Sequence, residues 1–323
     1  AEGWTATLQP AGGAPITVRA RALVNATGPW AARFLGEQAG RPRTRALRLV
    51  KGSHIVVRRM FEHDHAYIFQ NPDKRIIFAI PYEQAYTLIG TTDVEHQGEI
   101  GQVQVDAAEV RYLCEQASRY FAQPVTEADV VWRYAGVRPL LDDEAGDAAA
   151  VTRDYRLELD TEGGAPLLNV WGGKITTFRK LAEEAADLLG GPLGWRPSHW
   201  TETACLPGGD LSGLVPQSTR PDQDIARFDA ELARRHPELP RAMRRRWVRS
   251  HGARAALLLA APLGDEVAPG LHEGELQYLH DAEWARSADD VLWRRSKLGL
   301  HLTEADRQRV ADWWQRRYGG EAT

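Results

Sequence analysis

The sequence has 323 residues, 43% apolar and 26% charged, with a formal net charge of −4. This is the balance of a soluble globular chain with room for two or three domains. It excludes a disordered chain, and no global positive field favours nucleic acid. No apolar run reaches the roughly 18 residues of a membrane-spanning helix. No signal-peptide pattern opens the chain. Two distant cysteines, Cys114 and Cys205, give neither a disulfide framework nor metal-ligand spacing.

The chain starts at Ala1 inside a strand-like pattern. GWTATLQ alternates, a Gly-Gly turn follows and ITVRARALVNATG resumes, so residues 4–30 read as two or three strands. A hairpin already in progress suggests a piece of a longer protein. Leu23 and Val24 read as a buried strand end. Ala26, Thr27 and Gly28 are small enough to let backbone approach a partner closely. Pro29 and Trp30 open a short helix that stops at Gly40. Across 47–92, SHIVV, AYIF, RIIFAIPY and YTLIGTT are β-branched or aromatic runs broken by turn signals such as NPDK. They predict a mostly antiparallel sheet. Residues 106–122 predict a helix with Ala108, Val110, Leu113 and Ala117 on its apolar stripe. DVVWRYAGVRPLL, an acidic DDEAGD loop and strands around VTRDYRLEL and PLLNVWG follow.

After Gly173 a helix is predicted, with Phe178, Leu181, Ala182, Ala185 and Leu188 at helical spacing and a stop at Gly190-Gly191-Pro192. LPGGD at 206–210 marks a boundary. From about 211 onward strand signals vanish and only helical patterns remain. Ser287 and Thr303 precede the last two as N-caps ahead of acidic first turns. The predicted class is α+β, with a terminal all-helical region.

Several residues carry chemical interest, each beside a plainer reading. Gly172-Gly173-Lys174 precedes a helix that Thr176 and Thr177 could cap. Free N–H groups and the helix dipole there suit an electron-rich edge, and Lys174 adds a point charge. An ordinary strand–helix turn fits equally. Arg138, held extended by Pro139, suits a phosphate or carboxylate; it also suits a surface ion pair. Arg153 has the same two readings. His54 is either a general base for an alcohol or a satisfied core histidine. His63 and His65 lack the further ligands a metal site needs, and no metal is expected. Arg241, Arg244, Arg245, Arg246 and Arg249 fall within nine residues, with Met243 and Trp247 four apart. That segment is either a solvated face paired with acids or an interfacial helix on anionic lipid.

ALVNATGPWA, KGSHIVV, IGTTD, YAGVRPL, TRDY, GGKITTFRKLAE, LPGG and DDVLWRRSKLGL run in order from about residue 22 to about residue 301. Together they resemble the FAD-dependent, quinone-linked glycerol-3-phosphate dehydrogenases of the D-amino-acid-oxidase-like flavoproteins, in their aerobic bacterial form. That family carries a GxGxxG fingerprint at its N-terminus, followed by His-Gly-Gly and Arg-Tyr motifs. Neither the fingerprint nor that second motif is present here, so the resemblance implies a C-terminal part that is inactive in isolation.

The resemblance further implies a partial FAD-binding domain at 1–45 and 160–205. A substrate-binding antiparallel-sheet domain at 46–159 is inserted in it, and an all-helical cap domain at 206–323 follows. Ala26, Thr27, Gly28, Gly172, Gly173, Thr176 and Thr177 would meet FAD. Arg138 and Arg153 would hold the phosphate of glycerol 3-phosphate, with Thr91 and Lys174 near its oxygens. His54 would take the hydroxyl proton as dihydroxyacetone phosphate forms. Ubiquinone would be the electron acceptor, at the inner face of the cell membrane, with the protein cytoplasmic and peripherally bound. Alternatives are an oxidase passing electrons to oxygen and, for the chain as cut, a non-catalytic scaffold or membrane-docking module.

Overall fold

The computed structural model describes residues 3–10, 12–42, 44–141, 154–162 and 164–319. The chain forms two compact units. One takes Ala1–Leu8 and Pro15–Glu202, the other Gln9–Ala14 and Thr203–Thr323.

In the first unit, strands β1 (Trp4–Leu8) and β2 (Ile16–Ala20) form the expected hairpin. Strand β3 (Leu23–Asn25) leads through a 3₁₀ turn, Gly28–Trp30, into helix α1 (Ala31–Glu37). Next come β4 (Leu47–Arg58), β5 (Tyr67–Gln70), β6 (Ile76–Tyr82), β7 (Tyr86–Gly90) and the two-residue β8 (Val94–Glu95). Helix α2 (Ala107–Ser118) and strand β9 (Val130–Leu141) follow. All the ladders among β4–β9 are antiparallel, giving a six-stranded sheet centred on β4. β9 covers one edge of β4. On the other edge β7 pairs with its C-terminal half and β8 with Val50 and Lys51, so Thr91–Asp93 cross between the two ladders.

Alternation along β4 assigns its two faces. Ile55 and Val57 join Ile77 and Ile89 in a core with Val110, Leu113, Cys114 and Ala117 of α2. α2 is shorter than predicted. Asp106 and Glu109 close a capping box at its start, and the Ser118 hydroxyl turns back to the Cys114 carbonyl and accepts from the Val125 amide at its end.

Strands β10 (Tyr155–Asp160) and β11 (Leu167–Gly172) pair antiparallel, and β11 runs parallel to β3. Helix α3 (Phe178–Leu193) follows. Val24 is 45% exposed, and the buried residue at that strand end is Asn25. Its amide donates to Asn169 Oδ1 at 2.9 Å and to the Ala31 carbonyl at 3.0 Å, so alternation turns Val24 to the opposite face. Helix α3 does not stop at Gly190-Gly191-Pro192. It continues to Leu193 and ends at Gly194, which takes the left-handed conformation and donates to the Gly191 carbonyl.

The second unit contains α4 (Pro221–Arg235), α5 (Arg241–His251), α6 (Ala255–Leu258), α7 (Glu273–Glu283) and α8 (Glu304–Tyr318). It is not all-helical. Strands β12 (Glu266–Ala268) and β13 (Leu271–His272) form a short antiparallel ladder around the Gly270 turn. This ladder is too brief to show a period-2 pattern. The Thr303 cap forms as expected, reciprocated by Asp306. Ser287 also accepts from the Asp290 amide, but Asp290–Arg295 is a π-helical stretch rather than a regular helix.

Replacing Asn25 by Ala leaves the Ala31 carbonyl and the Asn169 carboxamide without their donor, at a cost of about 2 kcal/mol. Val24→Ala, on the exposed face, should cost under about 0.5 kcal/mol. Urea midpoints of the two variants check this.

Candidate functional site

The face of the six-stranded sheet away from α2 gathers the polar residues. Register sets Tyr134 and Gly90 opposite His54, Arg138 opposite Val50, and Gly136 opposite Gly52. Opposed residues share a face, and Val50, Gly52 and His54 are two apart. His54, Tyr134 and Arg138 therefore project together.

Two glycines make the space. A Cβ at Gly52 would lie 2.5 Å from Arg138 Nη2, and one at Gly90 would collide with the His54 ring. The Arg138 guanidinium lies across Gly52. Its Nη1 donates to Asp93 in a short contact and its Nη2 to Thr91 Oγ1 at 3.2 Å. His54 stacks on Tyr134, with ring centroids 5.0 Å apart and planes within 5°. Its Nδ1 is buried and has no partner among the described residues. Burial pushes the His54 imidazole down to about 4; Arg138 adds to the shift and Asp93 opposes it. The ring is neutral at pH 7, able to accept a proton.

Behind this face lies a second polar cluster. The Glu109 carboxylate is 5% exposed. Its Oε1 accepts from Ser53 Oγ and Thr92 Oγ1, each at 2.9 Å, and its Oε2 from the Asp106 amide at 3.1 Å. Lys51 Nζ lies 2.8 Å from Oε2. Burial acts to lower the Lys51 pKa, but its hydrogen bonds to Glu109 and Asp106 outweigh that and leave it raised.

The Gly172–Gly173 turn lies beside β9. Its two φ angles are +66° and +101°, a backbone that side chains resist. A Cβ on Gly172 would sit 3.1 Å from the Asp154 carbonyl and 3.7 Å from that of Pro139, the residue after Arg138. A 3₁₀ turn, Ile175–Thr177, then enters α3. The expected caps do not form. Thr177 Oγ1 donates backwards to the Lys174 carbonyl at 2.9 Å, and no side chain caps either segment. Lys174 and Thr176 are exposed, and Ile175 is 89% exposed.

Parallel pairing of β3 with β11 puts their carboxyl ends on one side. Ala26–Gly28 and Gly172–Lys174 therefore share an edge, where ligands bind in open α/β sheets. Thr27 Oγ1 donates to Asn25 Oδ1 at 2.8 Å, and a Cβ at Gly28 would meet nothing within 4 Å. The structure thus brings His54, Thr91 and Arg138 together on one sheet face, and Ala26–Gly28 with Gly172–Lys174 on one sheet edge. Arg153 lies outside the described residues, as does the DDEAGD loop.

Gly52, Gly90, Asp93, Tyr134 and Glu109 were not singled out from sequence. A glycine two residues before a histidine in a β-branched run was the available signal for a close approach.

In α5, Met243 and Trp247 do not form a lipid-facing stripe; both are buried in the second unit's core. Arg244 pairs with Asp229 at 2.9 Å, and Arg246 binds Glu275 and the Gly270 carbonyl. Arg241, Arg245 and Arg249, spaced by four, are exposed. Among the described residues no helix is long and apolar enough to cross a membrane.

A family profile described as FAD dependent oxidoreductase matches residues 2–179. The chain is 42% identical over 318 residues to a glycerol-3-phosphate dehydrogenase of Pseudomonas aeruginosa, covering 97% of this chain and 60% of that protein. It is 43% identical over 301 residues to the aerobic glycerol-3-phosphate dehydrogenase of Escherichia coli, covering 91% and 58%. It is 42% identical to a D-erythritol 1-phosphate dehydrogenase of Brucella abortus over 303 residues, covering 92% and 59%. The crystal structure of a glycerol-3-phosphate dehydrogenase from Bacillus halodurans, complexed with FAD, superposes with a TM-score of 0.78 at 27% identity, over 94% of this chain and 60% of that one. The chain thus spans about three fifths of the length of these relatives.

His54 yields a pH test. Its ordinary value is 6.5, and folding lowers it to about 4. Between those values the unfolded chain binds a proton that the folded one does not, so stability falls as pH drops through that window. Going from pH 7.5 to 4.5, native protein should lose on the order of 2 kcal/mol more than His54→Gln. Equal losses in urea titrations would show that the ring is not held neutral.

Proposed function

We propose the following reading for this chain, which belongs to the family of FAD-dependent oxidoreductases. It forms part of an enzyme that oxidises glycerol 3-phosphate to dihydroxyacetone phosphate. The observation that carries this is the shared face of His54, Thr91 and Arg138. An imidazole, a hydroxyl and a guanidinium lie together there, in a chain with relatives named for that substrate, and this supports the reading.

The domain reading follows the two larger sheets of the first unit. The three-stranded sheet, with 1–45 and 160–205, would face FAD; the antiparallel sheet within 46–159 would face the substrate; 206–323 would be a separate domain. Gly172 and Gly173, with left-handed backbone, an uncapped helix start and open space over Gly28 make a cradle that side chains do not fill. That donor set fits an electron-rich ring edge and a pyrophosphate. Ala26, Thr27, Gly28, Gly172, Gly173, Thr176 and Thr177 would hold the cofactor. FAD, when bound, supplies the hydride acceptor.

Arg138 binds the substrate phosphate, assisted by Arg153. A guanidinium suits this because its parallel N–H groups match two phosphate oxygens. Thr91 and Lys174 orient the glycerol oxygens. His54, neutral at working pH, takes the proton of the C2 hydroxyl on its imidazole. Packing between Tyr134 and Gly90 fixes the ring plane for that transfer.

Electrons would pass on to ubiquinone at the inner face of the cell membrane. The exposed arginines of α5 support this finer reading, reduced to Arg241, Arg245 and Arg249 because Arg244 and Arg246 have acidic partners in their own unit.

Two measurements test these assignments in the full-length protein loaded with FAD. Arg138→Ala should lower kcat/KM for glycerol 3-phosphate roughly 10- to 100-fold, as expected for a lost charge-assisted contact; an unchanged KM removes Arg138 from the site. Changing Arg241, Arg245 and Arg249 together to Gln should weaken sedimentation with phosphatidylserine vesicles by up to about 100-fold, at about 1 kcal/mol per charge. Unchanged sedimentation removes α5 from the membrane reading.

A further inference from the structure

We propose that Glu109, acting through Thr92, is a positioning residue for the Arg138 anion seat. The proposal rests on the reading of Arg138 as the phosphate-binding residue. Among the described residues Glu109 bonds to Lys51, Ser53, Thr92 and Asp106, and it belongs to α2, on the other side of the sheet.

Thr91–Asp93 lie between the β7 and β8 ladders, both of which use the same edge of β4. The Ser53 amide donates to Thr92 Oγ1 at 3.0 Å, so a side chain replaces a ladder carbonyl at this point. The same hydroxyl donates to Glu109 Oε1 at 2.9 Å. Thr92 is thereby pinned on both its donor and acceptor sides, and it is buried.

Its neighbours face the other way. Thr91 and Asp93 both reach the Arg138 guanidinium. One residue anchored backwards therefore sets the spacing of two residues that point forwards. Hydrogen bonds to a guanidinium depend on direction as well as distance, so a shift of this segment turns the guanidinium plane.

The anchor itself is rigid. Glu109 has a partner at each oxygen: Ser53 and Thr92 on Oε1, Lys51 and the Asp106 amide on Oε2. Lys51 is in turn fixed by Asp106 at 3.2 Å and the Gln104 carbonyl at 3.3 Å. A buried carboxylate satisfied this fully resists displacement, because leaving any of these groups unpaired is costly. The arrangement is more than packing requires. An apolar residue at 109 and Val at 92 would fill the same space without a charge.

The test compares Thr92→Val, Thr92→Ser and Glu109→Gln with native protein and Arg138→Ala, in the full-length protein. Val keeps the shape of Thr but loses both bonds; Ser keeps both. The readouts are calorimetric affinity for inorganic phosphate, the split between KM and kcat for glycerol 3-phosphate, and Tm. Thr92→Val should weaken phosphate binding and raise KM about tenfold with kcat within about twofold, while Thr92→Ser stays within about twofold of native in phosphate affinity, KM and kcat. Glu109→Gln, which keeps a carbonyl oxygen for the hydroxyls, should fall between them. Should Thr92→Val fail to fold, Glu109→Gln and Thr92→Ser decide. Native phosphate affinity and KM in Thr92→Val or in Glu109→Gln, whatever the Tm, would make the anchor merely structural and overturn the proposal. Phosphate binding equal in native and Arg138→Ala would instead overturn the reading of Arg138 on which it stands.

Discussion

A guanidinium laid across a glycine is the interaction on which the site depends. Arg138 can reach Thr91 and Asp93 because Gly52 has no Cβ beneath it. That one missing carbon sets where positive charge sits on the sheet face. The charge then bears on His54, helping to keep its imidazole neutral. Gly90 does for the imidazole what Gly52 does for the guanidinium. Neither glycine is needed for a left-handed backbone; each is needed for the volume it leaves.

The two larger sheets of the first unit use different chemistry to hold their polar residues. The antiparallel sheet holds its face with ions, Arg138 with Asp93 in front and Lys51 with Glu109 behind. The three-stranded sheet holds its edge with amides. Asn25 and Asn169 face each other across the parallel ladder, and Asn25 also ties the ladder to the first residue of α1. Because the strands are parallel, the two turns that follow emerge at one edge. An antiparallel pairing would have put them at opposite ends.

The fold was legible where local pattern and tertiary role agree. β-branched runs at 47–92 became the antiparallel sheet, the Thr303 cap formed, and Val110, Leu113 and Ala117 make the buried stripe of α2, whereas Ala108 of the expected stripe is exposed. His54, Thr91 and Arg138 were legible as residue types within motif stretches. Their convergence was not, since it depends on register: Arg138 opposite Val50 and Tyr134 opposite His54 are pairings between residues 88 and 80 positions apart in the chain. The misses have local causes. Val24 was read from hydrophobicity alone, while the burial went to a polar residue with two amide bonds. Gly190 and Gly191 were read as breakers, but a glycine ends a helix only where the backbone turns left-handed, and that happens at Gly194. Of the two readings of α5, pairing with acids of the same unit holds for Arg244 and Arg246, and Met243 and Trp247 are claimed by their own core, where the same spacing serves ordinary helix packing.

The front and back ion pairs also differ in their contact with solvent. Arg138 and Asp93 keep 35% and 20% of their side chains accessible, Lys51 and Glu109 only 12% and 5%. Screening by dissolved ions acts on the first pair and hardly reaches the second, since the Debye length shrinks to about 3 Å at 1 M salt while buried pairs are shielded from it. Rising ionic strength therefore loosens the grip on the guanidinium and leaves its frame in place. The outer pair is adjustable by the medium, and the pair behind it is not.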